Sequence, residues 1–94
     1  MFDPGQRPDI RYPTPWSFKV IGDDEAAVRR AVETTLAERL ECGAAERPWD
    51  LSTSRTSRGG RYVSLLLSLT VVSEDERNAL FAGLAGHPAV RIVI

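Results

Sequence analysis

The chain has 94 residues, of which 43% are hydrophobic and 27% are charged. A chain of this length and composition holds one soluble globular domain, because its surface can enclose a single core but not two. Twelve basic and 13 acidic residues leave a net charge of −1. This balance argues against a general binder of polyanions, and no apolar run is long enough to cross a bilayer.

The cysteine and histidine content restricts the possible chemistry. Cys42 and His87 are single occurrences, so the chain can form neither an internal disulfide nor a Cys/His metal cluster. We therefore expect no metal and no cofactor. The N-terminus lacks the cationic and then apolar pattern of a secretory signal, which predicts a cytoplasmic protein.

The first half predicts a tail, a strand and a helix. Residues 1–14 form a proline-rich tail, anchored if anywhere by Tyr12, and residues 15–94 form the domain. Apolar residues alternate along 16–22, which predicts a half-buried strand ending at Gly22. Asp23 or Asp24 can cap the following helix, and Gly43 is a stop signal for it. Its predicted buried stripe has three- and four-residue spacing and comprises Val28, Ala31, Val32, Thr35, Leu36 and Leu40.

The middle of the chain predicts a hairpin, with strands at about 49–57 and 61–72. Alternate residues of the second strand, from Val63 to Val71, share its buried face. A two-residue turn would place Leu51 on the opposite face from Leu67, whereas a three-residue turn places them together. We predict the three-residue turn, with Gly60 in its bulge.

The last third predicts a second helix and a final strand. Ser73 and Glu76 have the spacing of a capping box, in which each side chain accepts from the other's backbone N–H. The predicted end of the helix is at Gly86 and Pro88, and the last strand alternates Val90, Ile92 and Ile94. The predicted buried stripe of this helix comprises Ala79, Leu80, Phe81 and Leu84.

The order strand, helix, strand, strand, helix, strand predicts an α+β fold, the ferredoxin-like βαββαβ sandwich. Two right-handed crossovers around a hairpin produce one four-stranded antiparallel sheet with both helices on one face. The first and third strands are then central.

Four short motifs in this order resemble a known family. They are the entry Tyr12-Pro13-Thr14-Pro15-Trp16, the strand Phe18-Lys19-Val20-Ile21-Gly22, the hairpin residues Ser57, Gly60, Tyr62 and Ser64, and the ending Val90-Arg91-Ile92-Val93-Ile94. Together they are similar to the YbeD-like bacterial family of unknown function. The resemblance implies a fold like that of the ACT regulatory domains, which bind small molecules such as amino acids. It implies no enzymatic activity.

An ACT-like sensor would hold its ligand at the first strand-to-helix turn, at Gly22 and Asp23, where free backbone N–H groups can bind an anion. The charges oppose this interpretation. Asp23, Asp24 and Glu25 already place three carboxylates there, and an amino-acid carboxylate would enter against them. The sensor stays open as an alternative function.

The strongest charge asymmetry lies in the hairpin region. Residues 47–72 carry four arginines against one aspartate, a net charge of +3. Arg55, Arg58 and Arg61 lie near one turn with Tyr62, and arginines so placed can bind a carboxylate or phosphate with two hydrogen bonds each. Solvated loop arginines are the ordinary alternative. We predict this hairpin as the contact surface for an acidic partner protein or an anionic small molecule.

The outer face of the predicted sheet offers two further interpretations. The RNA-recognition domain shares this topology and stacks bases on aromatic side chains of its central strands, but here Tyr62 is the single aromatic residue there, which argues against nucleic-acid binding except weakly at the hairpin. Ile21, Leu66 and Val93 are apolar on that face and predict pairing with a second copy or a partner.

Catalysis finds little support. Serines are abundant, yet no second histidine or ordered base stands beside them. Acylphosphatases share the topology, but their glycine-rich phosphate cradle is absent here. The sequence thus favours a non-enzymatic regulatory or protein-interaction module, with the ACT-like sensor and a weak nucleic-acid binder as alternatives.

Overall fold

The structure is a computed structural model that describes residues 10–40, 47–56 and 61–94, with the backbone alone for residues 54–56. The elements alternate in the order that the sequence predicts. They are β1 (Thr14–Gly22), α1 (Glu25–Arg39), β2 (Trp49–Thr56), β3 (Val63–Val71), α2 (Glu74–Ala85) and β4 (Ile92–Val93).

The four strands form one antiparallel sheet in the order β2-β3-β1-β4, so β1 and β3 are central as predicted. The inward residues of these strands, such as Phe18 and Leu65, share one core with the buried residues of both helices. Both helices therefore cover the same face of the sheet. This is the predicted ferredoxin-like fold.

Helix α1 begins where an aspartate can cap it. The Asp24 carboxylate accepts a hydrogen bond from the Ala27 backbone N–H at 3.1 Å, and the predicted apolar stripe, with Thr35, is buried. The helix ends at Arg39, before the predicted stop at Gly43, which lies outside the described residues. Gly83 of α2 allows the helices to approach closely, since a Cβ there would lie 2.8 Å from Cγ2 of Thr35.

The predicted hairpin register is confirmed for most of β2. Trp49 pairs with Leu69 and Leu51 with Leu67, so both partly buried side chains pack against the core. The register shifts by one residue between Thr53 and Arg55. The shift is a bulge inside β2, and beyond it the pairing is the one that a two-residue turn would produce. The predicted bulge at Gly60 lies outside the described residues.

Helix α2 differs from the prediction in two ways. The Ser73 hydroxyl accepts from the Glu76 backbone N–H at 3.0 Å, but the Glu76 carboxylate accepts from the N–H of Val72, the residue before the predicted one. Phe81, predicted to be buried, is 44% exposed. Leu80 and Leu84 are buried against the sheet. Phe81 lies to one side of them, near Ile94 at the end of the two-residue strand β4.

The last strand faces opposite to its prediction. Val93 pairs with Val20, whose side chain points into the core, so Val93 is buried. The prediction that Val93 belongs to the outer face was therefore wrong. Ile92 pairs with Ile21 and takes the outer position, and Ile94 is also exposed. Val90 is buried as its alternation suggested, but the turn before β4 separates it from the strand.

Candidate functional site

An arginine that the sequence did not single out organises one end of the outer sheet face. Nε of Arg91, just before β4, donates to both carboxylate oxygens of Asp23, at 2.8 and 2.9 Å. The guanidinium carbon also lies 5.9 Å from the ring centroid of Tyr62, within the range of a cation–π contact. The pair uses Nε alone, and among the described residues neither terminal nitrogen of Arg91 has a hydrogen-bond partner.

The hydrogen bond to Asp23, and then the charge of its carboxylate, raise the pKa of the Arg91 guanidinium above its ordinary value, and Tyr62 adds to this. The side chains of Arg91 and Asp23 are nevertheless 59% and 53% exposed. Arg91 is thus a cation held in one orientation at the surface. That combination suits recognition of a carboxylate better than it suits a purely structural role.

Gly22 allows this arrangement. A Cβ on Gly22 would lie 2.4 Å from the carbonyl oxygen of Ala89 and 2.4 Å from Cγ2 of Val28. The segment that leads into β4 therefore packs directly on the backbone of β1, and this contact brings Arg91 beside Asp23. The Nδ1 of His87 accepts from the Ala89 N–H at 3.1 Å and helps to shape the same turn.

An apolar hollow of about 390 Å³ lies next to the arginine, lined by Ile21, Tyr62, Arg91 and Ile92. Tyr62 is 44% and Ile92 is 54% exposed. The hollow thus combines exposed apolar side chains with one oriented cation. Surfaces that combine apolar and charged groups in this way are typical of protein-binding patches. We call Asp23, Tyr62, Arg91, Ile21 and Ile92 the Arg91 patch.

The predicted site residues divide into those that the structure joins and those that it does not. Asp23 and Tyr62 meet through Arg91, and Gly22 supports them from below. Arg61 is exposed directly before Tyr62. The backbone of Arg55 pairs with that of Ser64, and the Arg55 side chain lies outside the described part of the structure. Arg58 lies outside the described residues.

Part of the positive charge predicted for the hairpin region is neutralised. Arg47 forms an ion pair with Glu76, in which the two side chains are 10% and 0% exposed. Arg47 also donates to the carbonyl of Thr70 at 3.4 Å. This arginine is structural, so Arg61 and Arg91 are the exposed arginines described near this end of the sheet.

The outer face between these ends is mainly polar. The hydroxyls of Ser17 and Ser68 lie 3.3 Å apart. Ile21 and Leu66 are half-buried, and Lys19 is exposed at the position that pairs with Leu66. The predicted pairing with a second copy through this face stays a prediction. The buried hydroxyl of Ser64 has no hydrogen-bond partner among the side chains and backbone groups that the structure describes.

Within residues 10–40, 47–56 and 61–94, no three histidine, cysteine or acidic side chains converge as a metal site would require. The two helices in these ranges are also too short or too polar to span a membrane.

Comparison with known families is decisive for the kinship of the chain. A family model described as a protein of unknown function (DUF493) matches residues 7–94. The chain belongs to this family. A UPF0250 protein from Leptothrix cholodnii is 34% identical over 91 residues, covering 97% of this chain and 96% of its own. The predicted kinship with the YbeD-like bacterial family is confirmed.

Relatives in Helicobacter pylori extend the comparison to a solved structure. An uncharacterized protein from strain 26695 is 33% identical over 76 residues, covering 81% of this chain and 79% of its own. The solution structure of HP0495 from the same species has a TM-score of 0.76 and 25% identity, and covers 100% of this chain and 94% of that one. The family is uncharacterised, and these relatives carry no named activity.

The sequence reasoning missed Arg91 because a local pattern does not reveal its partner. Arg91 lies 68 residues from Asp23 along the chain, and no turn connects β4 to β1. One signal was present: an arginine interrupts an otherwise apolar C-terminal run, Val90 to Ile94. A charge in a run that must form an edge strand has to face solvent or a carboxylate.

Proposed function

We propose that this chain is a small non-enzymatic interaction module that binds an acidic segment of a partner protein at the Arg91 patch, next to the basic hairpin. The observation that carries the proposal is the orientation of Arg91. Asp23 holds it through Nε, Tyr62 lies against it, and its side chain lines an exposed apolar hollow with Ile21 and Ile92.

Charge complementarity favours an acidic partner. Arg61 is exposed at the same end of the sheet, and Lys19 lies further along the outer face. The three carboxylates at this turn are engaged within the domain: Asp23 by Arg91, Asp24 as the cap of α1, and Glu25 by Arg29. A partner carboxylate would thus meet several cations, with Ile21 and Ile92 supplying apolar contact area.

The same contacts disfavour the ACT-like sensor. At Gly22 the space that a ligand would need is filled by Ala89 and Val28. Both carboxylate oxygens of Asp23 already accept from Arg91, which offsets the charge that an amino-acid ammonium group would need. The described residues supply no specific observation in favour of an amino-acid site, and we do not pursue it.

A non-enzymatic role rests on the chemistry of the exposed groups. The Arg91 patch contains a cation, a carboxylate and a phenol, each engaged with the others, and no nucleophile with an adjacent base. The Ser64 hydroxyl is buried, and no base in the described part of the chain bonds it. These features suit recognition rather than bond making.

The test compares two arginine variants in binding. A partner enriched by pull-down with the wild-type chain is purified and titrated against wild type, Arg91→Ala and Arg30→Ala, where Arg30 is an exposed arginine of α1. We expect Arg91→Ala to weaken binding about tenfold, the usual effect of a lost charge-assisted hydrogen bond. Arg30→Ala should bind as wild type does, and added salt should weaken the wild-type complex.

Three outcomes would contradict the proposal. They are equal affinity for wild type and Arg91→Ala, an enriched molecule that is RNA, and a wild-type chain that enriches nothing. A second copy of the chain could also occupy this face, through Ile21 and Leu66. Light scattering tests this by measuring whether the chain is a monomer or a dimer. A dimer that Leu66→Glu dissociates, and that excludes the partner, would also overturn the proposal.

A further inference from the structure

One edge of β1 is open along half its length. Strand β3 pairs with β1 from Thr14 to Gly22, whereas β4 pairs only with Val20 and Ile21, extended by the backbone bonds between Lys19 and Ile94. From Thr14 to Phe18, no described strand lies on the other side. An open edge of a central strand is a template for another extended segment.

The bonding pattern shows which backbone groups this edge presents. Lys19 donates to and accepts from Ile94, at 3.0 and 2.9 Å, so both its polar groups point toward β4. In an antiparallel ladder every second residue repeats this direction. Ser17 therefore presents both an N–H and a C=O at the open edge, and Pro15 presents a C=O alone.

A groove runs beside this edge, between β1 and α2. Its volume is about 440 Å³, and it is lined by Trp16, Ser17, Phe18, Arg77, Asn78, Phe81 and Ile94. The exposure of Phe81 has an explanation here, because a longer edge strand would lie over its ring. A segment continuing the line of β4 would alternate its side chains between this groove and the outer face.

The charges at the edge favour one kind of occupant. Lys19 is exposed on the outer face, and Arg77 lies on the groove side with its guanidinium carbon 4.8 Å from the Trp16 ring centroid. Glu74 accepts from Arg77 at 3.4 Å and partly offsets that charge. The exposed cation on the outer side complements an acidic residue there, and the groove complements apolar ones.

We infer that the open edge of β1 binds a short extended segment of a partner protein, antiparallel to β1, with an apolar-acidic-apolar sequence. The central residue exchanges two hydrogen bonds with Ser17, and the flanking side chains enter the groove beside Trp16, Phe18 and Phe81. Pro15 has no N–H to donate, so the added ladder is only a few residues long. This surface is separate from the Arg91 patch, toward the opposite end of β1.

The experiment titrates the full ¹⁵N-labelled chain with the peptide acetyl-Gly-Val-Glu-Val-Gly-amide. We expect saturable NMR shifts of the Ser17 backbone amide and the Trp16 indole N–H. A peptide with proline in place of glutamate cannot donate to the Ser17 carbonyl and should bind at least about tenfold more weakly. A peptide with lysine there should also bind more weakly, since Lys19 on the outer face repels it.

A matched pair of protein variants completes the test. Phe81→Ala should weaken peptide binding by at least about threefold, whereas Val72→Ala, which removes an exposed side chain outside the groove, should have no effect. Both positions are exposed, so both variants should fold. The inference fails if Ser17 does not shift, if the proline peptide binds equally, or if Phe81→Ala has no effect. Shifts confined to Tyr62 and Arg91 would also overturn it while supporting the proposed function.

Discussion

Two arginine–carboxylate pairs lie at different depths of this molecule. Arg47 and Glu76 are enclosed, with side chains 10% and 0% exposed, whereas those of Arg91 and Asp23 are 59% and 53% exposed. Burial changes what the same chemistry does. A buried pair constrains the fold because losing one partner strands a charge, while an exposed pair adds little stability and can still orient a group for recognition.

The buried pair connects three parts of the fold. Glu76 begins α2 and accepts from the Val72 N–H at 3.0 Å, at the end of β3. Arg47 stands just before β2 and donates to both Glu76 and the Thr70 carbonyl. Each charge thus has hydrogen bonds besides its ion-pair partner, which is the condition under which a buried pair is tolerated.

The largest expected effect comes from breaking that pair. Glu76→Ala leaves Arg47 buried without its carboxylate and should lower the free energy of unfolding by about 3–5 kcal/mol, measured by urea denaturation. The control is Glu74→Ala, at a carboxylate 45% exposed in the same helical turn, whose loss should cost under about 1 kcal/mol. Equal effects of the two variants would mean that Glu76 contributes no more than a surface carboxylate.

An intermediate effect is expected where the backbone supports the exposed pair. Gly22→Ala places a Cβ 2.4 Å from the Ala89 carbonyl, so the backbone must shift, at a cost of about 1–3 kcal/mol. Gly86→Ala is the control, because its Cβ would lie 3.2 Å from the nearest atom. Denaturation measures the cost, and an NMR shift of Arg91 Nε–H reports the displaced side chain. An unshifted Arg91 signal in Gly22→Ala would contradict this account.

The smallest effect on stability is expected at the exposed pair itself. Asp23→Asn should leave the thermal midpoint unchanged, because the two side chains are solvated. It should nevertheless speed hydrogen exchange at Arg91 Nε and weaken partner binding, since the guanidinium loses its orientation. A lowered thermal midpoint together with unchanged hydrogen exchange at Arg91 Nε would contradict this prediction. It would mean that the exposed pair stabilises the fold and does not orient Arg91.

The pH dependence of the exposed pair follows from the raised pKa of Arg91. A cation whose pKa is raised on folding contributes fully below the pKa it has in the unfolded chain, and that contribution is lost only as pH rises through the folded value. For arginine both lie far above neutrality. The Arg91 titration therefore adds no stability change between pH 6 and 9 (roughly the range in which arginine stays fully charged).

Much of the fold could be predicted because its signals are local. The alternation along β3 defined an inward face, and the apolar residues of β2 then selected the pairing of Leu51 with Leu67. The position of the bulge could not be predicted. A register change by one residue is compatible with a bulge anywhere between the paired apolar residues and the turn.

The candidate site was only half predictable. Tyr62 and Asp23 stood out by residue type and position, but their connection through Arg91 spans the whole domain. Phe81 was assigned to the core because it lies beside Leu80, and helical periodicity does not report where the facing sheet ends. The sequence also places the charge of Arg47 on the hairpin surface. Its ion-pair partner Glu76 lies on another element, so the local pattern does not reveal that this charge is neutralised.

By itself, the sequence determined the element order, the inward faces of the central strands and the N-cap Ser73 of α2, because these depend on residues within a few positions of one another. The tertiary structure alone decided which way β4 faces, how short it is, and which carboxylate each arginine meets. Those outcomes depend on the packing of segments that are far apart in the sequence. The free energy of burial selects which of these segments meet, and a local sequence pattern carries no information about that choice.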